Sequence, residues 1–115
     1  MRNADSGVKH WWAQRLTAIA LVPLSLWFVG ALVRHAGASR ADVIVWLHDP
    51  VAAVLMIATL AAALYHAILG VQEVILDYVH AGLLRHASLI ALKLFGALLI
   101  TASVFAVLLI AISGR

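Results

Sequence analysis

The chain has 115 residues, of which 65% are hydrophobic and 11% charged, with a mean hydropathy of +1.06 and a formal net charge of +3. A water-soluble domain carries roughly a quarter charged residues, so this balance excludes an ordinary soluble fold and points to a chain embedded in lipid. It has no cysteine, which excludes disulfides, thiolate metal sites and iron–sulfur ligation by this chain. Its basic residues form no stripe interleaved with aromatics, which argues against nucleic acid, and so short a chain leaves no room for an extramembrane catalytic domain.

Met1 to Lys9 is polar and reads as a partly ordered lead-in. The apolar run that follows is too long for the ~7–15-residue core of a signal peptide, and no small-residue cleavage site ends it. Trp11 and Trp12 suit the aromatic belt of a membrane interface. A first span is predicted over about residues 15–35. Leu16 to Val33 is eighteen uncharged residues, close to the ~17–25 that a spanning helix needs. Pro23 lies inside it, where a kink is expected and neighbouring helices can tolerate it.

Residues 36–49 read as a connecting loop with Gly37, Ser39 and Arg40. Within it, Asp42 to His48 suits a short interfacial segment anchored by Trp46. Asp49 followed by Pro50 has the pattern of an N-cap and first helical residue. A second span is predicted over about 50–72, its helix running beyond the hydrocarbon toward Asp77. Val79 to Arg85 reads as a turn containing Gly82, and a third span follows over about 86–112. Lys93 interrupts the early part of that span, where snorkelling to lipid head groups or pairing with an acidic residue of the turn would accommodate it.

The expected fold is therefore all-α, an integral membrane bundle of three transmembrane helices forming a single domain over 1–115. Three spans put the termini on opposite sides. Arg2, Lys9, Arg15, Arg85 and Lys93 fall on the N-terminal side, against Arg34, Arg40 and Arg115 on the other. That five-to-three excess predicts a cytoplasmic N-terminus. The spans differ too much in length and polar positions to form an inverted repeat.

The second span carries the chemistry. At 3.6 residues per turn, Thr59, Ala62, His66, Gly70, Glu73 and Asp77 fall in one narrow stripe, with Leu60, Leu64, Ile68, Val71 and Ile75 on the other side. An ionisable residue in an apolar span is costly and marks a candidate functional site. Ala62 and Gly70 flank His66 by one turn each, leaving room for a large flat ligand or a close neighbouring helix. From the residues alone, His66 fits a haem ligand or an interhelical hydrogen bond equally well. A ligating imidazole is neutral, and its second nitrogen wants a partner. Asp77 fits a helix-end charge or an ion pair with Arg85, Tyr78 and Arg15 fit interfacial anchors, and Gln72 and Glu73 fit a polar pocket or interface. Trp27 and Phe28 read as packing. His66, Glu73 and Asp77 together also suit a proton or cation relay in a small homo-oligomeric transporter.

The order His66, Gly70, Asp77, Tyr78, with three and six residues in the gaps, resembles the signature of the small hydrophobic membrane anchor subunit of succinate dehydrogenase. Gln14-Arg15-Leu16-Thr17-Ala18-Ile19 is similar to the R-x-T-A segment opening that family's first helix. The resemblance covers nearly the whole chain, with Lys93 outside its pattern. It implies half of a heteromeric haem-binding bundle in a bacterial inner membrane, assembled with a second membrane anchor (the cytochrome b subunit), an iron–sulfur subunit and a flavoprotein subunit. It further implies a b-type haem shared with the partner anchor and ubiquinone as the substrate reduced. By position, His66 would be an axial ligand of the haem iron, Arg15 a partner of a haem propionate, and Tyr78 with Asp77 a quinone-binding pair. No catalytic residue of succinate oxidation is expected here. The remaining histidines, His10, His35, His48, His80 and His86, lie at predicted span ends, so the second axial ligand is expected from another chain. Some family members lack haem, which leaves a haem-free structural anchor as a further reading.

Overall fold

The computed structural model describes residues 4–113. Four helices follow in order: α1 (Ala4–Arg34), α2 (Arg40–Leu47), α3 (Pro50–Tyr78) and α4 (Gly82–Ile112). The three long ones are each long and apolar enough to cross a membrane, so the chain is a multi-pass all-α membrane bundle. At ~1.5 Å per residue the 29 residues of α3 span ~44 Å, more than the ~30 Å of hydrocarbon. The last turns of α3 therefore reach the membrane edge.

The helices reach beyond the predicted spans at several ends. The first helix begins at Ala4 rather than near residue 15, so the stretch read as a partly ordered lead-in is helical from there; Met1 to Asn3, and with them Arg2, lie outside the described residues, as does Arg115. The physical reason is a tertiary contact: His10 Nε2 lies 2.7 Å from Glu73 Oε1 of α3, and such docking stabilises a helix end that propensity alone would leave frayed. The helix continues through Pro23, where Ile19 gives up a backbone partner. The connection at 36–49 is not all loop. It contains α2, started by a capping box in which Ser39 and Asp42 satisfy each other's backbone N–H groups. Trp46 in α2 stacks on Trp27 of α1, with ring centroids 5.9 Å apart, and lies 4.2 Å from the His35 ring. Gly37 adopts φ +80°, the left-handed conformation that closes a helix C-terminus.

Asp49 caps α3 by accepting from the Ala52 N–H at 3.4 Å, with Pro50 at the first helical position, as the sequence predicts. Helix α3 extends to Tyr78, in line with the expected run toward Asp77, and the turn after it is shorter than expected, because α4 begins at Gly82 rather than at residue 86. Arg85 reaches back from α4 and donates to the Leu76 carbonyl at 3.4 Å, satisfying one of the open carbonyls at the end of α3. Among the described residues Arg85 forms no ion pair with Asp77.

Helix α3 lies in the middle of a bundle 50 Å long, packed against α1 on one side and α4 on the other; among the described residues α1 and α4 do not pack together. Small residues set the approach of α3 and α4, as expected where lipid removes the hydrophobic drive between helices. Ala53, Val107 and Ala111 are buried and packed against Met56, Ile57 and Leu60. Gly96 is buried, and a Cβ there would collide with the side chain of Ile68. The large side chains of α1 and α4, among them Ile19, Leu26, Leu94, Phe95, Leu98 and Phe105, point outward. An apolar exterior of this kind fits acyl chains and not water.

Candidate functional site

Helices α1 and α3 run antiparallel and meet along a polar seam. On α1, His10, Gln14 and Thr17 recur at helical spacing and so share a face. On α3, His66, Gly70 and Glu73 do the same. They pair in three levels. Thr17 Oγ1 lies 2.8 Å from His66 Nδ1. A Cβ on Gly70 would touch Gln14 Nε2 at 4.0 Å, an ordinary contact. His10 meets Glu73 at the third level. The stripe predicted on the second span thus faces α1, and the space beside Gly70 admits a neighbouring helix.

A cavity of about 400 Å³ opens along this seam, lined among others by His10, Gln14, Arg15, Ala18, His66 and Glu73. His66 and Arg15, predicted on separate spans, come together here. The Arg15 guanidinium carbon sits 5.3 Å from the centroid of the Trp11 ring, a cation–π arrangement that holds the long side chain near the cavity mouth. The hydroxyl of Thr17 also lies 2.8 Å from the Ala13 carbonyl and 3.1 Å from that of Gln14. His66 Nε2 has no protein partner among the described residues. An imidazole with one nitrogen tied and the other open to a cavity can ligate a metal ion or accept a proton.

Asp77 and Tyr78 do not line this cavity. Both are exposed at the last turn of α3, Tyr78 by 77%. Asp77 shares the stripe of His66 in angle, but eleven residues of helix separate them by ~16 Å along the axis. The predicted residues therefore form two groups at different depths. Of the other histidines, His10 lines the same cavity as His66. His35 and His86 each place Nδ1 2.8 Å from the carbonyl four residues back, that of Ala31 and Gly82. No cluster of three or more histidine, aspartate or glutamate side chains that could hold a metal ion occurs among the described residues.

Sequence reasoning missed His10 as a site residue and met Gln14 and Thr17 only inside a motif. The spacing test that found the stripe on the second span, applied to the first, would have exposed all three. Glu73 lines the cavity as one of its expected alternatives. Gln72 faces a second groove of about 470 Å³ with Lys9, Tyr65 and Lys93, so the two neighbouring polar residues serve different surfaces.

A family model described as succinate dehydrogenase/fumarate reductase transmembrane subunit matches residues 1–111. Curated relatives named succinate dehydrogenase hydrophobic membrane anchor subunit align over most of both chains. The protein from Rickettsia bellii is 41% identical over 106 residues, covering 91% of this chain and 84% of the relative. That of Rickettsia felis is 36% identical over 107 residues, with 92% and 88% covered. That of Paracoccus denitrificans is 30% identical over 104 residues, with 90% and 80% covered. A three-span bundle with a histidine in its polar seam, matched across nearly its full length, belongs to the succinate dehydrogenase/fumarate reductase transmembrane subunit family.

Proposed function

We propose that the chain anchors a succinate dehydrogenase in a bacterial inner membrane, with its N-terminus in the cytoplasm, and helps deliver electrons from succinate oxidation to ubiquinone. A flavoprotein and an iron–sulfur subunit would carry the dehydrogenase chemistry, and a second membrane anchor, the cytochrome b subunit, would close the α1–α3 seam from outside. The observation that carries the reading is the convergence of His66 and Arg15 on one cavity. That cavity offers what a haem edge requires: an imidazole nitrogen without a protein partner, a guanidinium for a carboxylate, and the small side chain of Ala18. A b-type haem, when bound, supplies one-electron redox capacity beside the quinone.

In this reading His66 would hold the haem iron from this chain, and the partner anchor would supply a further ligand. Arg15 offers charge-assisted hydrogen bonds to a propionate. Asp77 and Tyr78, at the membrane edge on the last turn of α3, form one wall of a separate quinone pocket. The Tyr78 hydroxyl donates to a quinone carbonyl, and Asp77 lies beside it. The chain itself contributes no group to succinate oxidation. The transporter reading is weakened by the exposure of Asp77 and its ~16 Å offset from His66.

The test is the visible spectrum of the purified wild-type complex beside His66→Ala. A b-type reduced spectrum that weakens or changes shape in the variant is expected, since a partner ligand can retain some haem in altered ligation. A wild-type complex with no haem absorbance rejects the ligand role and leaves a haem-free anchor.

A further inference from the structure

We propose that Thr17 is a positioning residue that fixes the ring tautomer of His66, presenting the bare Nε2 to a haem iron; this rests on the haem reading above. A threonine hydroxyl has a single hydrogen and two lone pairs. Thr17 Oγ1 has three neighbours within hydrogen-bonding distance: the Ala13 carbonyl at 2.8 Å, the Gln14 carbonyl at 3.1 Å, and His66 Nδ1 at 2.8 Å. Carbonyl oxygens only accept. With the hydroxyl proton on the Ala13 carbonyl, Oγ1 turns a lone pair toward His66. Nδ1 then carries the imidazole proton and donates it. A neutral imidazole has only one N–H, so Nε2 is the nitrogen left with its lone pair free.

The reverse arrangement has the hydroxyl donating to Nδ1, with the proton on Nε2, and that tautomer cannot ligate a metal. Two features favour the first. Threonine in a helix is held to few side-chain rotamers, one of which aims its oxygen at the carbonyl four residues back. A metal at Nε2 also selects the Nδ1–H form, because both nitrogens of a neutral ring cannot be bare. The relay from the His66 Nδ1–H through the Thr17 hydroxyl to the Ala13 carbonyl is satisfied at every member. It also pins the plane of the ring, since Nδ1 is tethered to a different helix from its own.

Thr17→Val replaces the hydroxyl with a methyl of similar size, leaving Nδ1–H without an acceptor. Thr17→Ser keeps the hydroxyl and drops the methyl. In the assembled complex, haem per complex and the haem midpoint potential are measured for wild type and both variants, with subunit stoichiometry determined independently. Removing a partner that orients a metal-bound histidine typically weakens metal affinity about 10–100-fold. Thr17→Val is therefore expected to lose haem in that range under dilution. A ligand that donates less electron density stabilises ferric iron less, so the midpoint should also rise. A tenfold change in the ferric-to-ferrous preference corresponds to ~59 mV for one electron. Thr17→Ser should stay near wild type in both measurements.

Equal retention and an unchanged midpoint in Thr17→Val overturn the proposal. Equal damage in Thr17→Val and Thr17→Ser also overturns it, by assigning Thr17 to packing. If Thr17→Val does not assemble, Thr17→Ala, with the strongest helix former at that position, takes its place under the same criteria. A wild-type complex without haem rejects the underlying reading, a result distinct from haem that is present and indifferent to Thr17.

Discussion

Tyr78 spreads 77% of its surface outside the bundle, on a helix that runs past the hydrocarbon. A phenol so placed either serves the interfacial belt or meets something brought by another subunit. The proposed role is donation to a quinone carbonyl, which gains electron density as it is reduced, so a donor aimed at it stabilises the developing charge. A phenolic hydroxyl carries the one O–H that such donation needs. Tyr78→Phe keeps the ring and removes the donor. Losing one such donor costs about 2.7–4 kcal/mol in a well-organised site, and less where water substitutes. Ubiquinone reduction should fall sharply while succinate oxidation by a soluble acceptor dye stays near wild type, because the dye takes electrons before the membrane site. Unchanged activity in both assays would return Tyr78 to the belt. At this scale the sequence carried His66 clearly, since a histidine in an apolar span stands out by cost alone. It concealed the partner, because threonine is unremarkable in a helix and only the fold brings Thr17 to His66 across 49 positions.

At the scale of elements, the meeting of α3 and α4 rests on a missing side chain. The wall of Ile68 occupies the space that a Cβ on Gly96 would take. Overpacking a tight contact typically costs 1–3 kcal/mol, and in lipid no hydrophobic gain offsets it. Gly96→Val should lower the yield of folded complex, and Ile68→Ala in the same chain should restore part of it. Additive losses in the double variant, measured by thermal inactivation in detergent, would show that the two positions are not coupled. The three long helices were legible because unbroken apolar runs and the Asp49–Pro50 start are local signals. The run of the second-span helix toward Asp77 was legible too, but the early starts of α1 and α4 were not. Polarity marks where a chain leaves hydrocarbon, not where a helix stops, so α1 starts well before Arg15 and α3 outlasts its apolar run by nearly two turns. The contacts of His10 with Glu73 and of Arg85 with the Leu76 carbonyl hold those extensions and the turn after α3, and both are tertiary. The helix in the connection rests on a local capping box at Ser39 and Asp42, but a helix of 8 residues is too short to stand by itself. Its ring contacts with Trp27 and His35 require the first span to be in place.

For the whole molecule, the decisive fact is that a thin bundle exposes a polar seam as well as an apolar coat. With α1 and α4 on opposite sides of α3 and not packed together, no further element among the described residues lines the cavity that His66, Glu73 and Arg15 line. A second anchor subunit laid along α1 and α3 would replace lipid at those groups, and the cost of leaving ionisable groups against acyl chains makes such a partner favourable. Expressed alone, the chain should therefore accumulate poorly and be degraded. Co-expression with a cognate second anchor should raise its level several-fold, and the two should co-purify with two soluble redox subunits. Replacing the seam supplies the control: His66→Leu with Glu73→Leu removes much of the penalty, so the isolated chain should accumulate better while the assembled complex loses its haem spectrum. That opposition separates an anchor from a transporter. A relay would keep its polar seam inside a homo-oligomer, and the wild-type chain would then be stable without partners and conduct protons or cations in liposomes. Partner-dependent accumulation with no ion flux supports the anchor; autonomous stability with flux overturns it.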